Sequence, residues 1–240
     1  MIKPNIYLLL FVFCALFAQA QKDTLKPKTK PKKVESEFDL KNYKANPKDR
    51  LIFEVNHTNW IGQPVNIKPD YKGVGFSFSM LFDKPIGHSN FSFAYGLGLY
   101  THNYSSNANF VYKLDSINYK SVKTVLEPKT NNYKSNRYNE KLVEVPLEFR
   151  FRTKKETSFK MMLGAKIGYV FSNYRKVNDD DGKIRIYDIK NINRLRYGVN
   201  FRIGVEQVCL TASYYFSEVF TENGPKGIHP FSIGLAIIPY

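Results

Sequence analysis

Cysteine is almost missing from this sequence: the chain has 2, Cys14 and Cys209, and Cys14 lies in an N-terminal apolar run that reads as removable. An exported chain left with Cys209 alone has no internal disulfide, so its stability must come from packing or from a bilayer. Histidine is scarce too, with His57, His88, His102 and His229 scattered along the chain and no two at metal-ligand spacing. There is no G-x-S-x-G elbow, P-loop or paired-cysteine site. The G-x-G stretches in "GVGFSF" and "YGLGLY" lie in alternating extended segments rather than before helices, so they are not phosphate cradles. No catalytic residue, metal or cofactor is expected, and the protein is expected not to be an enzyme. Acidic residues are the third shortage: 21 Asp and Glu stand against 36 Lys and Arg, a net charge of +15.

The N-terminus explains where that charge acts. "MIKPNIYLLLFVFCALFAQAQ" has Lys3 as its only charge, an apolar run from Ile6 to Phe17 and a small-x-small site at Ala18-Gln19-Ala20. The run falls short of the roughly 20 residues of a transmembrane helix, so residues 1–20 read as a secretory signal peptide. A lipoprotein is disfavoured, because Cys14 follows Phe13 rather than a small residue. Export removes nucleic acid as a partner, and the basic excess points instead to lipid headgroups, lipopolysaccharide, cell-wall polymers or acidic proteins, among which charge alone does not choose. Residues 21–50 are rich in Lys and Pro and cannot bury enough apolar surface to fold alone. They read as a basic periplasmic segment ahead of a domain over residues 51–240.

From Leu51 onward the texture is period-two alternation, the signature of half-buried strands. Phe53 and Val55 oppose Glu54 and Asn56; Val74, Phe76, Phe78, Met80 and Phe82 oppose Gly75, Ser77 and Ser79. Phe91 to Leu99, Val143 to Phe151, Phe159 to Phe171, Leu195 to Val205, Val208 to Phe216 and Phe231 to Ile237 repeat the pattern. That makes eight segments, each with one large apolar face and one small or polar face. In a soluble sandwich the charges face water and the large residues face the core. Here Gly and Ser share a face with the charges, which suits the cramped interior of a narrow barrel whose outside meets lipid.

The links give an independent argument. They alternate long and short, as in outer-membrane barrels with long outer loops and short periplasmic turns. The expected fold is therefore all-β: an eight-stranded antiparallel up-and-down transmembrane barrel with long extracellular loops, short periplasmic turns and both chain ends in the periplasm. The longest loop is expected over Tyr104 to Glu140. Trp60, Phe82, Phe91, Tyr100, Phe151, Phe171, Tyr197, Phe216 and Phe231 are candidates for interfacial aromatic girdles. The final "FSIGLAIIPY" is similar to the terminal strand signal of outer-membrane barrels, with Pro239 predicting a bulge that sets Tyr240 one place late.

The stretch "KLVEVPLEFRFR" condenses the problem. Val143, Val145, Leu147, Phe149 and Phe151 are expected to face lipid, while Glu144, Glu148, Arg150 and Arg152 face the interior with Glu54, Lys166, Arg194, Arg196 and Arg202. Buried charges are costly unless paired, so these nine should form one network, with Glu144 and Glu148 reaching toward Arg194, Arg196 or Arg202. An eight-stranded barrel is just wide enough to be filled by its own side chains. Pro146 lacks a ladder donor, so a β-bulge or local break is expected there.

"VEVPLEFRFR", "FKMMLGAKIGYVFSNYRK" and the glycine-containing last strand resemble the outer-membrane β-barrel proteins of Bacteroidota, a family that includes the PorT-like barrels of type IX secretion and gliding. The resemblance implies an integral outer-membrane barrel, and it implies other envelope or secretion proteins as partners; it carries over no catalytic residues. Asp23-Thr24-Leu25 and Asp115-Ser116-Ile117 are similar to O-glycosylation sites of exported Bacteroidota proteins, which would modify Thr24 and Ser116. The expected role is a non-enzymatic accessory or scaffold subunit of an envelope complex. The alternatives are a narrow channel or small-ligand or lipid-binding barrel with an Arg-rich interior, and a lipid-modifying enzyme.

Overall fold

The computed structural model describes residues 51–114, 122–153, 157–180 and 182–239. Residues 1–50, where a signal peptide and a basic segment are expected, lie outside the described residues, as do the expected modification site at Ser116 and Tyr240; Thr24 falls in the same N-terminal stretch. Eleven strands follow in order: β1 (Leu51–Ile61), β2 (Val74–Pro85), β3 (Phe91–Ser105), β4 (Ala108–Leu114), β5 (Val122–Pro128), β6 (Tyr133–Arg152), β7 (Phe159–Asp179), β8 (Gly182–Tyr187), β9 (Leu195–Val205), β10 (Val208–Tyr215) and β11 (His229–Ile237). Eight of them close a ring, β1-β2-β3-β6-β7-β9-β10-β11 and back to β1, each antiparallel to its neighbours. Successive ring strands are neighbours in the chain, so the barrel is up-and-down. The other three build an extension at one end: β4 and β5 form a separate hairpin, and β8 adds to the upper part of β7.

The registers fix the barrel's shape. From Phe53 one way round, the partners are Phe78, Leu99, Val143 and Tyr169; the other way they are Ile237, Val208, Val205 and Phe159. Both routes end on β7, at residues 169 and 159, a stagger of ten residues. For eight strands that stagger tilts each by about 40°, inside the usual range for closed barrels. Every residue on both routes is a large aliphatic or aromatic one and is exposed, so they trace an apolar spiral around the outer wall.

The inner face is made of the small and charged residues. Glycine is needed there at two points in particular. A Cβ on Gly168 would lie 2.5 Å from Glu144 Cγ, and one on Gly164 would lie 2.8 Å from Glu148 Cγ. Each glycine on β7 thus clears the space that an inward glutamate of β6 fills.

Pro146 causes no bulge. The β3–β6 register is the same on both sides of it, but the pairing skips from Tyr95/Leu147 to Gly98/Glu144, so the ladder to β3 is interrupted across two positions while Pro146 still pairs Lys166 on β7. A missing amide hydrogen opens the ladder without adding a residue. The bulge lies higher, where Lys141 pairs Ser172 but Leu142 pairs Val170. Phe171 is the extra residue, and beyond it β7 changes sides. Below the bulge Tyr169 and Phe171 face out; above it Tyr174 and Lys176 are outward and Arg175 and Val177 are buried.

The link expected as a loop from Tyr104 to Glu140 is largely strand. β3 runs on to Ser105, β6 begins at Tyr133, and the β4–β5 hairpin lies between them. The alternation of the barrel is hard to see there because the bulge breaks its phase and the hairpin packs over the barrel end instead of lining its wall. The other end carries only short links, including the two-residue turn at Glu206 and Gln207 between β9 and β10. β11 ends at Ile237, and Ile238 is fully buried, its amide donating to the Gln207 carbonyl at 2.8 Å.

Candidate functional site

Three charged clusters are stacked inside the barrel. Nearest the short-turn end, Arg202 on β9 donates from Nε to Glu54 Oε1 at 2.6 Å and pairs through Nη1 with Glu148. Glu148 also accepts Arg150 Nη2 at 2.8 Å and Asn200 Nδ2 at 3.0 Å, and Glu54 accepts the Ser77 hydroxyl at 2.6 Å. Glu54, Glu148, Arg150 and Arg202 are all buried. Their charges sum to zero, and every carboxylate has more than one donor, which is the condition for burying ions without prohibitive cost.

One layer up, Lys166 on β7 donates to Tyr215 Oη at 2.6 Å, Tyr215 donates to Glu144 Oε1 at 2.7 Å, and Lys166 lies 3.5 Å from Glu144 Oε2. The lysine ammonium also sits over the Tyr215 ring at 4.1 Å and the Tyr100 ring at 5.1 Å. His102 bridges to the next layer, 3.1 Å from the Tyr104 hydroxyl on one side and 3.5 Å from Tyr215 on the other. There Arg196 Nη2 meets Glu140 Oε1 at 2.5 Å, Tyr138 donates to the same oxygen at 3.0 Å, and Arg196 caps the Asn193 carbonyl at 2.7 Å.

Apolar clusters close the stack at both ends. At the long-loop end Trp60, Tyr104, Phe110, Tyr138 and Phe220 pack with Ile67, Leu126, Ile189, Ile192, Val219 and Ile228. The Trp60 ring lies 5.0 Å from Tyr104 and 5.9 Å from Tyr138, and Phe110 lies 5.3 Å from Tyr138. At the short-turn end Ile52, Leu81, Ala94, Met162, Cys209, Ala236 and Ile238 form a second cluster. Charges fill the waist of the barrel, and apolar clusters lie in its two mouths, the short-turn end holding the buried Lys160 as well.

Of the nine residues assigned to the interior from sequence, Glu54, Glu144, Glu148, Arg150, Lys166, Arg196 and Arg202 are buried inside. Arg152 is at the rim, half-buried and 3.4 Å from Asp83. Arg194 is corrected outright: it is exposed and paired at 3.1 Å with Asp188. β9 starts only at Leu195, whose amide donates to the Asn193 side chain in a local turn, so the alternation that aligned Arg194 with Arg196 does not reach that far. The partner expected for Glu144 is also corrected, since it pairs with Lys166 and not with an arginine. Val143, Val145, Leu147 and Phe149 are exposed on the outer wall, while Phe151 is half-buried against Phe91.

Two of the girdle candidates are corrected as well. Trp60 and Tyr100 point inward, each 4% exposed. Both sit at even positions in phase with the inward residues of their strands, a signal that their aromatic chemistry outweighed. Glu140, His102 and Tyr215 were not singled out as interior residues, although Tyr215 follows the alternation of β10.

A closed, tilted, eight-stranded ring with an apolar outer wall and a charged inside defines a transmembrane β-barrel of the outer-membrane type. The chain belongs to the outer membrane protein beta-barrel domain family, whose model matches residues 36–217, more than half of the chain. No curated protein and no solved structure matches it. The family match ends before β11, the strand that closes the ring against β1.

Proposed function

We propose that this outer-membrane barrel is a non-enzymatic accessory or scaffold subunit of an envelope complex, of the protein-secretion kind implied by the resemblance to PorT-like barrels of type IX secretion. The observation that carries this reading is the contrast between a filled interior and an elaborated end. Charged side chains with several partners each occupy the waist, and apolar clusters occupy both mouths. A barrel built this way offers other molecules its surfaces and not its lumen. The β4–β5 hairpin and the β7–β8 hairpin supply ordered surface at the long-loop end. In this reading that end faces outward, both chain ends are periplasmic, and residues 21–50 serve as a basic tether there.

Two experiments test it. Recovery from native membranes in mild detergent should bring down other envelope proteins at native expression; recovery of the barrel alone overturns the scaffold role. Cysteine placed at Lys113 should react with an impermeant maleimide on intact cells, and cysteine placed at Gln207 should react only after the outer membrane is opened; the reverse pattern overturns the orientation. The channel reading predicts conductance in planar bilayers, and the filled interior favours none.

A further inference from the structure

The outer face of the β6–β7–β8 extension holds three cations in one register row. Arg137 on β6 pairs Lys176 on β7, and Lys176 pairs Arg185 on β8. All three are exposed, and none has an acidic partner among the described residues. The nearby Asp179 is engaged by Lys129 at 3.0 Å. Like charges directly opposite one another weaken a sheet, so the three cations repel one another and a bound anion would relieve the repulsion.

The row below is aromatic. Tyr174 pairs Tyr187, with ring centroids 5.7 Å apart. Arg185 is already held toward these rings: it donates to Tyr187 Oη at 3.0 Å and lies 5.1 Å from the Tyr174 ring. The guanidinium therefore bends down toward the apolar wall with donors still open to solvent.

Height matches a lipid headgroup. The outward apolar residues of β7 run from Phe159 to Phe171, and at a strand rise of about 3.3 Å and a tilt of about 40° they span roughly 30 Å, close to a bilayer's hydrocarbon thickness. On the same scale the tyrosine row stands about 8 Å above Phe171 and the cation row about 13 Å above it. The bulge at Phe171 makes this possible, because it turns Tyr174 and Lys176 outward. The feature is one-sided. At the same end, the outward positions of β1, β2, β10 and β11 are His57, Asn59, Ile61, Val74, Tyr214, His229 and Phe231, with no lysine or arginine among them.

We propose that Arg137, Lys176 and Arg185, above the Tyr174/Tyr187 pair, form a binding site for the phosphate of a membrane glycolipid headgroup of the lipid A kind. The tyrosines lie at the level where sugar and acyl chains meet, and the cations chelate the phosphate from one side. The assignment to the outer leaflet rests on the orientation proposed above.

The test is native mass spectrometry of the full chain in detergent, titrated with lipid A. The triple variant Arg137→Gln/Lys176→Gln/Arg185→Gln should bind roughly a hundredfold more weakly, at about fivefold per cation. The control triple Lys72→Gln/Lys113→Gln/Lys226→Gln, equal in charge and at the same end, should match the wild type. Equal binding by the wild type and the first triple, or equal loss in both triples, overturns the site. Dephosphorylated lipid A binding as well as the phosphorylated form overturns phosphate recognition. Displacement by inorganic phosphate at the concentration of the lipid makes this a free-phosphate site, and equal affinity for phosphatidylglycerol removes the glycolipid assignment. Detergent binding does not depend on orientation, so failure of the cysteine-labelling pattern and failure of this site are separately visible.

Discussion

The waist and the long-loop mouth of this barrel are equally buried and filled in opposite ways. At the waist Arg202, Arg150, Glu54 and Glu148 neutralise one another; at the mouth Trp60, Tyr104, Tyr138, Phe110 and Phe220 pack ring on ring, with Arg175 lying over Phe110 at 5.7 Å. The difference follows from what each region can draw on. At the waist, inward positions come only from the wall strands, and glycines such as Gly164 and Gly168 leave gaps that long charged side chains fill. At the mouth, the β4–β5 hairpin and the loops carrying Ile67, Ile189, Val219 and Ile228 fold over the end, so a small conventional core can form there. A barrel inverted for lipid thus returns to ordinary packing where it leaves the membrane.

The largest effect should come from breaking the waist. Arg202→Leu leaves Glu148 and Glu54 short of a buried partner and should cost about 3–5 kcal/mol, because an unpaired buried charge is far worse than none. Urea unfolding in lipid vesicles measures it; a loss under about 1 kcal/mol would mean that the carboxylates are hydrated or protonated and do not depend on arginine. Next comes the mouth. Trp60→Ala removes the ring at the centre of the aromatic cluster and should cost about 3–4 kcal/mol as a cavity, with the wall's strand content unchanged by circular dichroism.

A smaller effect is expected at the junction of the two regions. Tyr215→Phe removes one hydroxyl that serves both Lys166 and Glu144, and about 1–2 kcal/mol should be lost, since the direct Lys166–Glu144 pair remains. If the loss equals that of Arg202→Leu, the layers act as a single network and not as a stack. Smallest of all is Lys113→Gln. Its contact with Glu127 is only 2.6 Å long but exposed, and the change should stay within about 0.5 kcal/mol.

Much of this was readable from residue types alone. Period-two alternation with Gly and Ser on the charged side is enough to say that the chain is inside out, because no soluble packing uses glycine as a solvent face. The long and short links give the up-and-down order in the same way. What failed did so where local pattern and local geometry part. Arg194 shares parity with Arg196 but precedes the strand. Trp60 and Tyr100 look like interfacial aromatics, yet parity sends them inward. Pro146 predicts a defect, and the ladder does open beside it, but without the added residue of a bulge. The true bulge at Phe171 has no sequence marker, since "YVFSNYRK" continues without a Gly or Pro.

By itself, then, the sequence determined the class of solvent each face must meet, for that depends only on which side chains alternate. Which carboxylate meets which cation was decided by the ten-residue stagger of the closed ring, since contacts such as Glu54 with Arg202 join residues far apart in the chain. The facing of Arg175 and Lys176 was decided by one extra residue in β7. A period-two pattern holds its phase only while the ladder is regular, and only the partner strand can show where it slips.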